Sequence, residues 1–412
     1  MSRFRKYGLQ HCDLPTSIGN VAFLLKALTL KIDERDEKRI PIIFYVLTPL
    51  VVVCYLYVYL VSMVWFVFCR CPETGDVLAA LIVFSLGIAS EISAVKFMYM
   101  LIYIKDVRQM VSDSLSIDSK VIPGSRFSDN LLRTLRDVKK RALLFWMVII
   151  GNGSLYVIKP ILLPGRHFMD DVLVLYGLEP MFDTPNYQIS FIMMAAADCL
   201  ICYLTANISA FLIIITGYVQ AQMLALSEEL THVWDDAEEK YLQNKEVIDI
   251  SESETSDASK DVILNMYVKD SLKRIAVSHA VNINLLGQIE ATFRGAIAIE
   301  FCLLITALIA ELLGGLENTY MEVPFALMQV GMDCLTGQRV IDASVVFEEA
   351  VYDCKWERFD KKNMRSVMIM LLNSQQSMTV SAGGVTTLNY VSFMAIIKSI
   401  YSTYTTLRST MG

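Results

Sequence analysis

Hydroxyl side chains recur along the last apolar segment of the chain. Four of them are separated by four, three and four residues: Ser399, Thr403, Thr406 and Thr410. This spacing places them on one face of an α-helix. A hydroxyl-bearing face on an otherwise apolar helix suits contact with water or with a polar neighbouring helix. We interpret this face as the wall of an ion pathway.

Ionisable side chains lie inside the long apolar stretches. Among them are Glu91, Lys96, Asp198, Glu300, Asp333 and Lys398. A Lys or Asp at the centre of a membrane costs about 2.5–3.5 kcal/mol, so such residues usually face protein or water. We expect Lys398 to be paired with Glu300 or Asp333, the alternative being that it faces a conduction route. Asp198 is expected either to hydrogen-bond inside a ligand cavity or to join two helices.

The apolar stretches that carry these residues are long enough to cross a membrane. The chain has 412 residues, of which 54% are apolar and only 19% are charged. Because a membrane span needs about 20 apolar residues, and lipid cannot satisfy a bare backbone, we predict seven helical spans. Spans one to seven are residues 41–69, 77–104, 142–163, 188–220, 291–313, 320–341 and 385–407.

The distribution of Lys and Arg predicts how these spans are oriented. Residues 1–40 carry eight of them and residues 105–141 carry nine, whereas 70–76 and 164–187 carry one each. Positively charged connections stay on the cytoplasmic side. The N-terminus is therefore predicted to be cytoplasmic and, with seven spans, the C-terminus extracellular. This is the reverse of a G-protein-coupled receptor.

The connections between the spans predict the domain organisation. Residues 1–40 are a cytoplasmic tail with an amphipathic helix at 21–32, and residues 41–220 hold spans one to four. Residues 221–290 are a long cytoplasmic loop, helical at both ends, in which the acidic stretch 249–259 is expected to be disordered. Residues 291–341 hold spans five and six. Residues 342–384 are the last cytoplasmic loop and the first half of helix seven, and 385–412 are its pore-lining second half.

Several function classes are excluded. No phosphate loop, metalloprotease motif or nucleophile elbow is present, and the four histidines are scattered. The nine cysteines form neither a disulfide nor a zinc framework. A net charge of −7 argues against nucleic acid binding. We therefore expect no enzymatic activity, no cofactor and no metal.

Ordered motifs in the C-terminal quarter resemble those of insect odorant receptors. Residues 333–344 resemble the Cys–Gly–Ser pattern that closes span six, and Tyr352 with Trp356 resembles the Tyr–Trp pair of the last cytoplasmic loop. Three more features resemble the final span of that family: the Ser-Gln-Gln run at 374–376, the Gly383-Gly384 pair that interrupts the apolar segment, and residues 398–407. The chain departs from the family pattern at Thr405-Thr406, where a small apolar pair is usual.

The resemblance implies an all-α membrane protein that is a subunit of a ligand-gated, non-selective cation channel. It also implies a heterotetramer with the co-receptor Orco, in the plasma membrane of olfactory sensory neuron dendrites. The odorant would bind in the outer half of the bundle, between spans two, three, four and six. The side chains expected there are mainly apolar and favour a small apolar volatile: Phe84, Ile88, Gly151, Ser154, Tyr156, Met193, Met194, Ala197, Asp198, Pro324, Leu327 and Met328.

Two other classes remain open from the sequence. A gustatory receptor has the same topology, although the Tyr–Trp pair and the Ser-Gln-Gln run favour the odorant receptors. A secondary transporter would carry inverted repeats and broken helices in both halves, whereas the sequence shows one Gly-Gly break.

Overall fold

The computed structural model of the chain describes residues 8–35, 39–247 and 257–411. Long helices dominate this part of the chain, and the longest described connection between two of them covers residues 163–185. The helices are Leu14–Leu25, Ile42–Thr74, Val77–Ile102, Ile104–Asp118, Arg126–Leu162, Asn186–Thr231, Val233–Val247, Asp257–Gly314, Leu316–Thr319, Glu322–Tyr352, Lys361–Ser374 and Tyr390–Met411. The disorder predicted for 249–259 lies mostly outside the described residues, and 257–259 already belong to a helix.

Five of the described helices are long and apolar enough to cross a membrane: Ile42–Thr74, Val77–Ile102, Arg126–Leu162, Asn186–Thr231 and Lys260–Gly314. They contain spans one to five. Span six falls in Glu322–Tyr352 and span seven in Tyr390–Met411. These two helices are less apolar because the first carries several charges and the second carries hydroxyls.

The N-terminal amphipathic helix lies earlier than predicted. It covers Leu14–Leu25 and ends in a tight turn at Lys26–Leu28, because Thr29 has a left-handed backbone. The Asp13 side chain caps its start by accepting a hydrogen bond from the Thr16 amide at 2.9 Å. The helix packs against span four and the helix that follows span two.

Several helices continue beyond the membrane and pack together on the predicted cytoplasmic side. The helix of span three begins at Arg126, which forms ion pairs with Glu229 at 3.0 Å and Asp236 at 2.6 Å. The rings of Trp234 and Phe359 are stacked with their centroids 6.0 Å apart. The helix that we predicted to run on from span four is interrupted by a turn at residue 232.

A short hairpin separates the last two helices. Its strands Ser381–Ala382 and Thr386–Thr387 are antiparallel, and Gly383 and Gly384 form its turn with φ of 66° and 75°. These angles favour glycine because it has no Cβ. The Gly-Gly pair is therefore the turn of a hairpin between two helices. The preceding helix ends at Ser374, nine residues before Gly383, and the second half of helix seven begins at Tyr390, five residues later than the predicted start.

Candidate ligand cavity, buried ion pairs and pore face

A small cavity lies among spans one, two, three, four and six, in the half of the bundle predicted to face outward. Its volume is about 60 Å³. Aromatic and aliphatic side chains share its wall with polar ones: Tyr59, Leu86, Ala89, Ser90, Asn152, Gly153, Tyr156, Asp198, Ile201, Cys202, Met321, Glu322 and Phe325. This mixture of apolar surface with a few polar groups is typical of small-molecule sites.

Asp198 is both a cavity residue and a link between helices. The hydroxyl of Tyr59 donates a hydrogen bond to its Oδ1, and both side chains are buried. Tyr59 lies in a π-helical turn, Tyr57–Ser62, that widens span one at this level. Such turns are frequent at functional sites. Asp198 Oδ2 has no hydrogen-bond partner among the described residues. Both interpretations of Asp198 therefore agree with its position.

Spans three and six form the rest of the wall through close contacts. A Cβ atom at Gly153 would collide with Cys202 of span four, so only glycine allows the two helices to approach this closely. The side-chain amide of Asn152 donates to the carbonyl of Met321 at 3.2 Å. This bond ties span three to the first turn of the helix that carries span six.

The structure brings only some of the predicted ligand residues to this cavity. Tyr156 and Asp198 line it. Met194 and Ala197 are buried outside the cavity lining, and five others are half-buried in the bundle: Phe84, Ile88, Met193, Leu327 and Met328.

Gly151, Ser154 and Pro324, which we predicted to face the ligand, lie exposed on the outer surface of the bundle and do not line this cavity. The Ser154 hydroxyl bonds to the carbonyl of Ile150 in its own helix at 2.7 Å. The helical period turns residues 152, 153 and 156 inward instead. Tyr59 and Glu322 also line the cavity but were not among the predicted residues, because the expected site did not include span one and Glu322 lies at the start of span six.

A larger cavity of about 500 Å³ lies between the N-terminal helix and spans three and four. Its wall includes Phe23, Leu143, Trp146 and Ile214. Ile214 is 16 residues beyond Asp198, roughly 24 Å along the helix at 1.5 Å per residue, near the predicted cytoplasmic end. We favour the smaller cavity as the ligand site because it lies inside the bundle and carries converging polar groups.

A buried cluster of charges joins spans two, five and six. The Lys96 ammonium lies 2.8 Å from Glu300 Oε1 and 3.4 Å from Asp333 Oδ2. The ammonium also donates to the Ser209 hydroxyl of span four at 3.3 Å. The prediction that Lys398 pairs with either acid is wrong, because Lys96 pairs with both and Lys398 is exposed.

The helix of span seven packs on spans five and six through one side. Ile400 is buried on that side, with Phe393 and Ile396 half-buried beside it. All four residues of the hydroxyl face are exposed: Ser399, Thr403, Thr406 and Thr410. Adjacent residues are about 100° apart around a helix, so the hydroxyl face lies about a quarter turn from the packed side. No other described part of this chain covers it.

Span six connects the cavity to the last helix. Its helix begins at the cavity wall with Glu322, carries Asp333 of the buried ion pairs, and then meets the hairpin. A Cβ atom at Gly337 would collide with the Leu388 backbone, and one at Gly331 would lie 3.7 Å from the ring of Phe393. One helix therefore contacts the cavity, the buried ion pairs and the packed side of the helix that carries the hydroxyl face.

Comparison with known proteins agrees with this architecture. The profile described as 7tm Odorant receptor matches residues 76–401. Odorant receptor 13a of Drosophila melanogaster is 32% identical over 95 residues, which cover 20% of this chain and 23% of that relative. The aligned segment thus spans less than a quarter of the curated relative.

Solved structures show the same fold at low sequence identity. The olfactory receptor OR5 of Machilis hrabei has a TM-score of 0.74 at 11% identity, covering 95% of this chain and 97% of that one. Its complex with eugenol has a TM-score of 0.73 at 12% identity, covering 96% and 98%. The predicted all-α membrane fold with seven helices is confirmed, and so is the assignment to a family that is not enzymatic. The chain belongs to the 7tm odorant receptor family.

Proposed function

We propose that this chain is the odorant-binding subunit of a ligand-gated, non-selective cation channel. A small volatile binds in the cavity at Asp198 and Tyr156, and binding opens a pathway lined by the hydroxyl face of span seven. The exposure of that face carries the proposal. Hydroxyls on an uncovered helix face suit a hydrated pathway, whereas lipid would favour apolar side chains.

The size of the cavity explains how binding is coupled to opening. A volume of about 60 Å³ is far below the roughly 300–1,000 Å³ of typical ligand sites. A volatile of ordinary size therefore fits only when the surrounding helices separate. A ligand that binds the expanded form better than the compact form shifts the population toward the expanded form.

The energy of one ligand limits how far it shifts the gate. A volatile with about ten heavy atoms, at roughly 0.5–0.8 kcal/mol each, binds with a dissociation constant between roughly 1 and 200 μM. Changing the ratio of open to closed channels from 1:99 to 99:1 takes about 5.5 kcal/mol of differential affinity for the two states. One ligand supplies only part of this difference, so several subunits or a small change in open probability are needed.

The proposed assembly is a heterotetramer with the co-receptor Orco in the plasma membrane of olfactory sensory neurons. A single helix face cannot enclose a pathway, and the exposed hydroxyl face of span seven leaves room for neighbouring subunits. Membership of the odorant receptor family supports this partner. The relative solved with eugenol supports a small volatile as the ligand.

Recording currents from cells that express the chain with and without Orco tests the proposal. We expect cation currents evoked by volatiles, eugenol among them, only when both chains are present. Mock-transfected cells and cells that express Orco alone are the controls. A chain that reaches the cell surface with Orco but conducts no current with any volatile would contradict the proposal.

A further inference from the structure

The polar end of the ligand cavity is acidic. Asp198 and Glu322 both line it, and none of the described residues in its wall is Lys, Arg or His. Asp170, in the loop between spans three and four, is close enough to interact electrostatically with both carboxyls. Burial raises the pKa of Asp170 itself. The cavity therefore lacks a positive group of its own.

One carboxyl oxygen in this cavity has no partner. Asp198 is only 5% exposed, and Tyr59 bonds to its Oδ1 while Oδ2 bonds to no described residue. From the described part of the chain, Glu322 accepts one long hydrogen bond, from the Ser85 hydroxyl at 3.5 Å. An unpaired buried carboxyl oxygen is unfavourable, and a ligand that donates a hydrogen bond to it removes that cost.

We propose that the preferred ligands of this chain are small volatile amines. The nitrogen would donate to Asp198 and Glu322, and the apolar body would pack against Leu86, Tyr156 and Phe325. An ammonium brings three donors and a positive charge, whereas an alcohol brings one donor and a hydrocarbon none. This inference rests on the proposed function, and it replaces the wholly apolar volatile expected from the sequence.

Three ligands with the same number of heavy atoms test the proposal: 2-phenylethylamine, 2-phenylethanol and propylbenzene. We expect the amine to evoke half-maximal current at a concentration roughly tenfold to a hundredfold below the alcohol, the gain from a charged hydrogen bond. The hydrocarbon should be weakest. Straight-chain amines and alcohols from butyl to octyl repeat the comparison for other body shapes.

Substitution of the two acids tests whether they cause the preference. Asp198→Asn and Glu322→Gln keep the side-chain shape. Each should reduce the difference between the half-maximal concentrations of amine and alcohol, while the response to the alcohol persists. Glu311→Gln is the comparison variant, because Glu311 is a buried carboxyl of span five that interacts electrostatically with Glu322 but does not line the cavity. It should reduce the difference in potency between amine and alcohol less than either variant of the cavity wall. Comparing two ligands on one variant removes differences in surface expression.

Each outcome decides between the two proposals. Currents in which amines are no more potent than alcohols would overturn the amine proposal and leave the channel proposal standing. A difference in potency between amine and alcohol that is unchanged in both Asp198→Asn and Glu322→Gln would also overturn the amine proposal. If one variant fails to reach the surface, the other carries the test. Absence of current with every volatile would instead defeat the channel proposal.

Discussion

Replacing Lys96 with methionine should destabilise the protein severely. The lysine is 1% exposed and Glu300 is fully buried, so water cannot screen their charges as it does for surface pairs. Lys96→Met keeps most of the side-chain volume but leaves two carboxyls facing each other without a cation. Breaking a buried ion pair in this way costs about 3–5 kcal/mol. That is a large share of the roughly 5–15 kcal/mol that stabilises a typical folded protein.

Two companion variants show whether charge is the cause. Adding Glu300→Gln and Asp333→Asn to Lys96→Met removes the uncompensated carboxyls, so most of the lost stability should return. Lys398→Met is the matched control, because Lys398 is exposed and forms no ion pair with a described residue. The readout is the thermal midpoint of the detergent-solubilised protein by size-exclusion chromatography. A single variant as stable as the wild type, or a triple variant no better than the single one, would refute this reasoning.

Three further predictions test the cavity, the hairpin contact and the N-terminal helix. Gly153→Val places side-chain atoms against span four at the cavity wall and should raise the half-maximal odorant concentration at least tenfold. Gly151→Val is the control and should not raise it, because no atom of a neighbouring element lies within 4 Å of a Cβ at this position. Equal dose–response curves for the two variants would contradict this prediction. Gly337→Val collides with the hairpin backbone. Overpacking of this kind costs about 1–3 kcal/mol, so the thermal midpoint should fall. An unchanged midpoint would contradict a tight contact between span six and the hairpin. Burial, and then the nearby Asp13 carboxylate, raise the pKa of Asp118 to about 6. The folded state therefore favours its protonated form, and stability falls as pH rises from about 4 to about 6. Asp118→Asn should raise the thermal midpoint at neutral pH and lose that gain as the pH falls toward 4; a gain independent of pH would contradict the assignment.

Hydropathy and charge predicted much of the fold because membrane insertion depends on composition over about 20 residues. The lengths of spans one to five and the break at Gly383 and Gly384 follow from local sequence. The start of the N-terminal helix was misplaced because the cap at Asp13 and the left-handed Thr29 decide its ends. Apolar periodicity, from which we placed it at 21–32, does not report either feature.

The candidate sites were harder to predict because they depend on which helices meet. The sequence contains both Lys96 and Lys398, and only the packing of span two against spans five and six shows that Lys96 takes the acids. Gly151 and Ser154 were misplaced for the same reason. An error of one residue in deciding which side of the helix faces the bundle turns a side chain by about 100°, from the interior to the surface. The acidic character of the cavity also emerged only when spans one and six brought Tyr59 and Glu322 beside Asp198.

Cysteine accessibility along span seven tests whether the hydroxyl face lines the ion pathway. Cysteine is introduced at each position from 399 to 410, and a water-soluble, charged methanethiosulfonate reagent is applied during odorant-evoked current, with the unsubstituted chain as the background. We expect lasting block at 399, 403, 406 and 410, with little effect at Tyr401 and Thr405, which face away from the hydroxyl side. Block at Tyr401 and Thr405 without block on the hydroxyl side, or no block at any of these positions, would contradict it.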